Sequence, residues 1–307
     1  MAAELLANTT YVIRLAHLCR KMRVDVLHAN NFALEPLWAA RLLGIGIVSH
    51  LHGFLYFPME RSRRRSIRHV KAFVSISRAV TESAVRAGVD PARIHEIPNF
   101  VERVPQASPP PMPTALAIGI FGRVAAWKGQ KEFLHAAMRV LPRFPGLRVY
   151  VVGDASDGDP RYLAECREVA RSSPFADQIE FTGLVTDVAA YYRKCTVVVH
   201  ASIEPEPFGM VVIEGMAEGR PVVASMLGAP PEIIQEGVEG YLVNPKDPNA
   251  MADRIIALLA NPALAADMGR RGHKKVLTTY DPSVAARRFE QLYMEVAHAA
   301  AQPAEER

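Results

Sequence analysis

The stretch Leu116-Ala-Ile-Gly-Ile-Phe121-Gly-Arg123-Val-Ala-Ala-Trp127-Lys128-Gly129-Gln130 decides the fold. Its apolar run, 116–121, reads as a buried strand. A glycine then turns the chain, and two cations follow, Arg123 and Lys128. A helix begins near Gln130, where Phe133, Leu134, Ala137, Met138 and Leu141 recur at helical spacing. Strand, glycine turn and helix in that order open an α/β unit.

The same alternation continues down the chain. Strands are expected at 148–152, 179–182, 196–201 and 221–225, and helices at 162–171, 188–194, 210–218 and 231–236. Strand–helix repetition with short glycine turns predicts a doubly wound parallel sheet over 114–280. A final helix over 281–300 carries Phe289, Leu292, Tyr293 and Val296 on one stripe, which must pack on something. It is expected to cross back to the first domain. Upstream, Val104–Pro113 holds five prolines in ten residues. No helix or central strand tolerates that, so 105–113 is expected to be an interdomain linker. Residues 1–104 alternate too, with helices at 5–23 and 34–43 and strands at 24–28, 46–51, 73–76 and 94–97.

Composition fits two domains. The chain has 307 residues, half of them hydrophobic and 22% charged, which is a globular balance. No apolar window of roughly 18 residues appears, so a transmembrane helix is not expected. The first residues lack a basic region followed by an apolar run, and no secretory signal is read there. The three cysteines show no C-x-x-C spacing, so neither a disulfide framework nor a cysteine zinc site is expected. The expected setting is the cytoplasm, or the cytoplasmic face of the membrane.

Two motifs carry chemistry. In the first, Arg123 offers a planar fork and Lys128 a point charge at a strand end, which suits a diphosphate. Two solvated surface cations are the plainer reading of that pair alone. The second motif is Ala201-Ser-Ile-Glu-Pro-Glu206-Pro-Phe208-Gly209-Met210-Val211-Val-Ile-Glu214-Gly. Pro205 and Pro207 force an extended loop. The helix that follows starts near Gly209, and the amides of Gly209, Met210 and Val211 stand at its positive end. Glu206 sits on the loop, where it can approach a ligand directly. Glu214 has apolar neighbours that leave few solvent-facing positions, so a ligand contact is expected of it.

Together these motifs resemble the family-4 retaining glycosyltransferases, group 1. Glu206 to Glu214 matches the E-x7-E arrangement, and Phe-Gly-Arg-x4-Lys-Gly matches the diphosphate motif. Similar pieces occur in the family's order from Asp25-Val-Leu-His28 to Gly228-Ala-Pro-Pro-Glu232. The resemblance implies a GT-B fold, with two Rossmann-like domains facing a cleft. It implies sugar transfer from a nucleotide diphosphate sugar to a glycan, lipid or small-molecule acceptor, with retention and without a metal or other cofactor. By motif, Arg123, Lys128, Gly209, Met210 and Val211 would hold the diphosphate and Glu214 the ribose. Glu206 and Phe208 would contact the donor sugar, the backbone at Val185 would read the base, and His52 would reach the sugar from the first domain. Glu206 and His52 are the catalytic candidates.

Further expectations concern metals, the basic run and the first domain. Asp157-Gly-Asp159 reads as a turn rather than a metal loop, and His50 and His52 lack an evident third ligand. The basic run Arg61, Arg63, Arg64, Arg65, Arg68 and Lys71 follows Phe54–Met59. It is open to three readings: an anionic membrane surface, an acceptor phosphate or carboxylate, or a solvated face. Nucleic acid is not expected, because no aromatic interleaving accompanies the charge. Finally, the family's first domain opens on a strand and a glycine turn, whereas this sequence opens on a helix. The first domain is therefore expected to be incomplete. The alternative function is a nucleotide-sugar-binding protein that needs a complementing subunit or segment for activity.

Overall fold

The computed structural model describes residues 2–55, 66–102, 107–155 and 159–301, with backbone alone for 2–8 and 301. Arg61, Arg63, Arg64, Arg65, the stretch 56–59, residues 104–106 and Asp157 lie outside the described residues. The chain forms two compact units, Met1–Asn99 with Ala285–Arg307, and Phe100–Val284.

The second unit holds a six-stranded sheet. Its strands are β5 (Ala117–Phe121), β6 (Arg148–Val152), β7 (Ile179–Gly183), β8 (Val197–His200), β9 (Val222–Ser225) and β10 (Gly240–Val243). Their spatial order is β7-β6-β5-β8-β9-β10, and every ladder is parallel. That is the doubly wound order with its reversal between β5 and β8. The central strand β5 is apolar throughout and fully buried, because helices cover both faces. The core gathers Ile118, Ile120, Phe133, Leu134, Val149, Val197 and Val199.

The helices of this unit are α4 (Gln130–Val140), α5 (Pro160–Arg171), α6 (Val188–Lys194), α7 (Met210–Ala217), α8 (Pro230–Ile233), α9 (Pro248–Leu259) and α10 (Pro262–Thr279). Several begin on an Asp or Asn that accepts from a first-turn amide, with proline next. Asp159 accepts from Arg161, Asp247 from Asn249 and Ala250, and Asn261 from Leu264. The carboxylate or amide oxygen satisfies an orphan donor, and proline there forfeits no bond. Asp159 of the expected turn is thus a helix cap.

The proline-rich stretch is fastened to the second unit over 109–112. Arg220 is fully buried. Its Nη2 donates to the carbonyl of Pro111 at 2.8 Å and of Pro110 at 3.4 Å, and its Nη1 lies 3.2 Å from the sulfur of Met112. A buried guanidinium needs acceptors, and the prolines supply carbonyls without competing amides.

The first unit holds β1 (Val26–Asn30), β2 (Gly46–Leu51), β3 (Ala72–Ser75) and β4 (Ile94–Glu96) in that spatial order, all parallel. Among the described strands no reversal of order occurs. Its helices are α1 (Ala2–Met22), α2 (Leu34–Leu43) and α3 (Arg78–Arg86). The last helix, α11 (Pro282–Ala301), lays Leu292 and Val296 against Val48, Ala72 and Val74. Gly46 makes this approach feasible, since a Cβ there would lie 2.5 Å from Val296 Cγ1. Arg68 is exposed on a short 3-10 turn, Ile67–His69. All three cysteines are buried thiols. No helix among the described residues is long and apolar enough to cross a membrane.

Candidate functional site

The site of the second unit grows where the sheet order reverses, at the ends of β5 and β8. Ligands of open α/β sheets collect in such crevices. After β5 the chain runs through Lys128 and turns at Gly129, with φ of 74°. A Cβ on Gly129 would stand 2.0 Å from the carbonyl oxygen of Ala201, so glycine alone lets this loop lie against the end of β8. The amide of Ile203 donates to the Trp127 carbonyl at 2.8 Å and closes the seam.

The loop after β8 is held from its other side. The Glu206 amide donates to Leu227 O at 3.1 Å, and the Ala229 amide to Glu206 O at 2.9 Å. Gly228 between them has φ of 83°, and its missing Cβ would strike Glu206 O at 2.3 Å. Glu206 is therefore placed through its backbone before its side chain makes any contact.

That side chain is clamped rather than free on a loop. Glu206 is 7% exposed. Its Oε2 accepts from Lys128 Nζ at 2.7 Å and from the Ser202 hydroxyl at 2.9 Å, and His200 Nε2 lies 3.1 Å away. Burial alone would raise the carboxyl pKa. The His200 hydrogen bond and the Lys128 charge overcome it and hold the group down at about 2. Glu206 is thus ionised over the physiological range.

Glu214 has a different environment. It lies on α7, half-buried, and accepts from the Tyr192 hydroxyl at 2.8 Å. Burial raises its pKa, the Tyr192 bond opposes this, and the Glu102 charge adds to the rise. The Tyr192 ring stacks on Phe121 at 3.9 Å, which fixes the hydroxyl. Arg123, Asp154, Val185, Tyr192, Val211 and Glu214 share the lining of one cavity of about 310 Å³.

Gly209 caps α7 with φ of 105° and no side-chain bond. The amides of Met210 and Val211 follow in the first turn, where no intrahelical acceptor exists. Phe208 is buried with its ring edge-on to Tyr280 at 6.0 Å, so backbone is what it can present. The second unit thus gathers Arg123, Val185, Val211 and Glu214 around one cavity, and Lys128 with Glu206 in one ion pair.

His52 belongs to the first unit. Its amide and its Nε2 lie 3.4 Å from Asn31 Oδ1 and Asn30 Oδ1. Its ring faces His50 at 4.0 Å, and His50 Nδ1 lies 3.3 Å from His28 Nε2. Burial lowers the pKa of all three, and the neighbouring rings push His50 to about 3. The trio is neutral near pH 7. Among the described residues no group of three or more His, Cys, Asp or Glu is placed to hold a metal ion.

Sequence reasoning missed His200, Tyr192 and the part played by Ser202. The one signal for His200 was a polar residue ending the apolar run Val197–Val199.

Comparison with known proteins agrees with this architecture. Residues 2–103 match the family described as Glycosyltransferase Family 4, and residues 115–261 match Glycosyl transferases group 1. The phosphatidyl-myo-inositol mannosyltransferase of Mycobacterium leprae is 32% identical over 89% of this chain and 74% of its own. The lipopolysaccharide core biosynthesis mannosyltransferase LpcC of Rhizobium leguminosarum is 30% identical over 66% of this chain. The match spans 56% of that relative's length. Among solved structures, a glycosyltransferase from Rickettsia africae superposes with a TM-score of 0.83 at 21% identity, covering 95% of this chain and 82% of that one. Anabaena HepE in complex with UDP-glucose gives 0.79 at 21% identity, covering 92% and 82%. The two parallel-sheet domains have the GT-B fold, and the chain belongs to the family-4, group 1 glycosyltransferases.

Proposed function

We propose that this chain transfers a sugar from a nucleotide diphosphate sugar to a glycan or lipid acceptor of the cell envelope, with retention and without a metal. The observation that carries the reading is the grouping in the second unit. Two cations and a helix start stand at the sheet's reversal, beside one ionised and one half-buried carboxylate. Cleavage of the glycosidic bond leaves negative charge on the nucleotide diphosphate. Arg123, Lys128 and the amides of Met210 and Val211 are assigned to stabilising that charge as it develops. Such donors do the work that a metal ion does elsewhere.

Glu214, steadied by Tyr192, suits the ribose hydroxyls on the wall of the cavity. The backbone at Val185 is assigned to the base, and Glu206 to the hydroxyls of the donor sugar. The part of His52 rests on the family resemblance. The acceptor class is taken from the relatives, whose names specify lipopolysaccharide core and phosphatidyl-myo-inositol.

The test is turnover. The chain is incubated with UDP-, GDP- and ADP-sugars, acceptor lipids or glycans, and excess chelator. Nucleotide release with an anomerically retained product is expected. Saturable nucleotide binding without turnover would instead mark a binding protein.

A further inference from the structure

We propose that His200 and Ser202 are positioning residues that pin Glu206 by one carboxylate oxygen and leave the other for a substrate hydroxyl. The inference rests on the reading of Glu206 as the donor-sugar contact and goes beyond it.

The argument starts from the bonds. Lys128 Nζ, Ser202 Oγ and His200 Nε2 all converge on Oε2 of Glu206. None of the described hydrogen bonds ends on Oε1. A carboxylate oxygen carries about two lone-pair sites, so three donors saturate Oε2. The remaining acceptor capacity belongs to Oε1.

Next comes the proton on the ring. An unprotonated Nε2 at 3.1 Å from a carboxylate would face lone pair to lone pair. The proton therefore sits on Nε2, where Ser202 Oγ, also at 3.1 Å, shares it. The other nitrogen, Nδ1, is buried and has no hydrogen-bond partner. The geometry thus places a proton on Nε2, in a ring only 4% exposed.

The position of His200 supports a role beyond packing. It ends a strand whose other residues are all valine, and an apolar side chain would fill the place without stranding a nitrogen. The strand fixes the ring, and the ring fixes the carboxylate. The two titratable groups that face Glu206 at hydrogen-bond distance are Lys128, from the loop after β5, and His200 itself. The pin also helps Lys128 keep Glu206 ionised against burial.

Two measurements test this. The first needs no turnover. Imidazole ¹⁵N spectra of the whole chain should show His200 protonated on Nε2, with the Nε2 signal displaced in Glu206→Gln. A ring with no proton on Nε2, or a signal indifferent to Glu206→Gln, overturns the pin. The second reads the reaction. His200→Leu should lower kcat by about tenfold while donor KM and nucleoside diphosphate Kd stay within about twofold. The acid limb of its kcat–pH profile should move upward. His200→Gln restores a donor near the Nε2 position, so it should recover most of kcat and the wild-type acid limb. A residue that merely fills space would change stability without moving that limb. Unchanged kcat in His200→Leu, or no recovery in His200→Gln, overturns the positioning role. If the wild-type chain turns over no nucleotide sugar while the Nε2–H spectrum holds, the proposed function fails and the pin stands.

Discussion

Removal of the Lys128 charge should weaken the second unit in proportion to its coupling with Glu206. The charged atoms are 2.7 Å apart, and their side chains are 19% and 9% exposed. At an effective dielectric constant of about 20, two unit charges at that distance attract by about 6 kcal/mol. Desolvation of both groups cancels a large part, and breaking a fully buried pair typically costs about 3–5 kcal/mol. Lys128 keeps some solvent, and His200 and Ser202 still hold Glu206 when it is gone. We therefore expect Lys128→Met to cost about 2–3 kcal/mol. The contact of Lys128 with the Trp127 ring, at 4.0 Å, is lost as well. A double-mutant cycle with Glu206→Gln removes that contribution from the comparison. The double variant should lose about 2 kcal/mol less than the two single variants together. The assay is urea unfolding followed by Trp127 fluorescence in a Trp38→Phe background, which confines the signal to the second unit. A coupling below about 0.5 kcal/mol would show that the pair is not made in solution, and the account of Glu206 as a clamped carboxylate would fall with it.

Other outcomes follow from the same geometry. Glu214→Ala should weaken UDP or GDP binding by about tenfold, or 1.4 kcal/mol, and Tyr192→Phe by less; calorimetry that finds wild-type affinity in Glu214→Ala removes it from the nucleotide site. Gly228→Ala should cost at least about 2 kcal/mol, because a Cβ would strike Glu206 O at 2.3 Å on a backbone with φ of 83°. A thermal midpoint equal to wild type would contradict the bridge described there. The first unit should lose stability on acidification. Burial first, then the rings of His52 and His28, depress the His50 pKa to about 3. The unfolded chain therefore binds the proton more readily between about pH 6.5 and 3, and stability rises with pH across that window. At pH 5 the loss relative to pH 8 is about 2 kcal/mol from His50 alone. Urea midpoints from Trp38 fluorescence in a Trp127→Phe background check this, and His50→Phe should flatten the difference.

Much of the fold was legible because its signals are local. The run 116–121 announced β5, and the stripe on 289–296 announced the packed face of α11. The bounds of α2, β2 and α6 follow directly from apolar periodicity and flanking glycine or aspartate. The strand 240–243 was harder to read, being short and only partly buried. The site was legible as a set of residues but not as a set of contacts. Lys128 and Glu206 are 78 positions apart, and their pairing depends on which strands flank the reversal of the sheet. Tyr192 and Glu214 meet for the same reason, 22 positions apart. Periodicity places a side chain on a face; it does not say which other strand end shares that corner. The fastening of the proline run was illegible for a related reason. Its composition predicts stiffness, but the partner that fastens it, Arg220, stands more than a hundred residues away.

That fastening bears on how halves of such proteins can be exchanged. A chimera that joins a foreign first half at residue 114, where the prolines end, would remove the carbonyls of Pro110 and Pro111 from Arg220. The guanidinium would then lie sealed in the interior with its charge unmatched. A crossover placed upstream of 107 carries the strap along with the unit it braces. The natural seam for recombination therefore precedes most of the prolines, and the strap travels as the first piece of the second half.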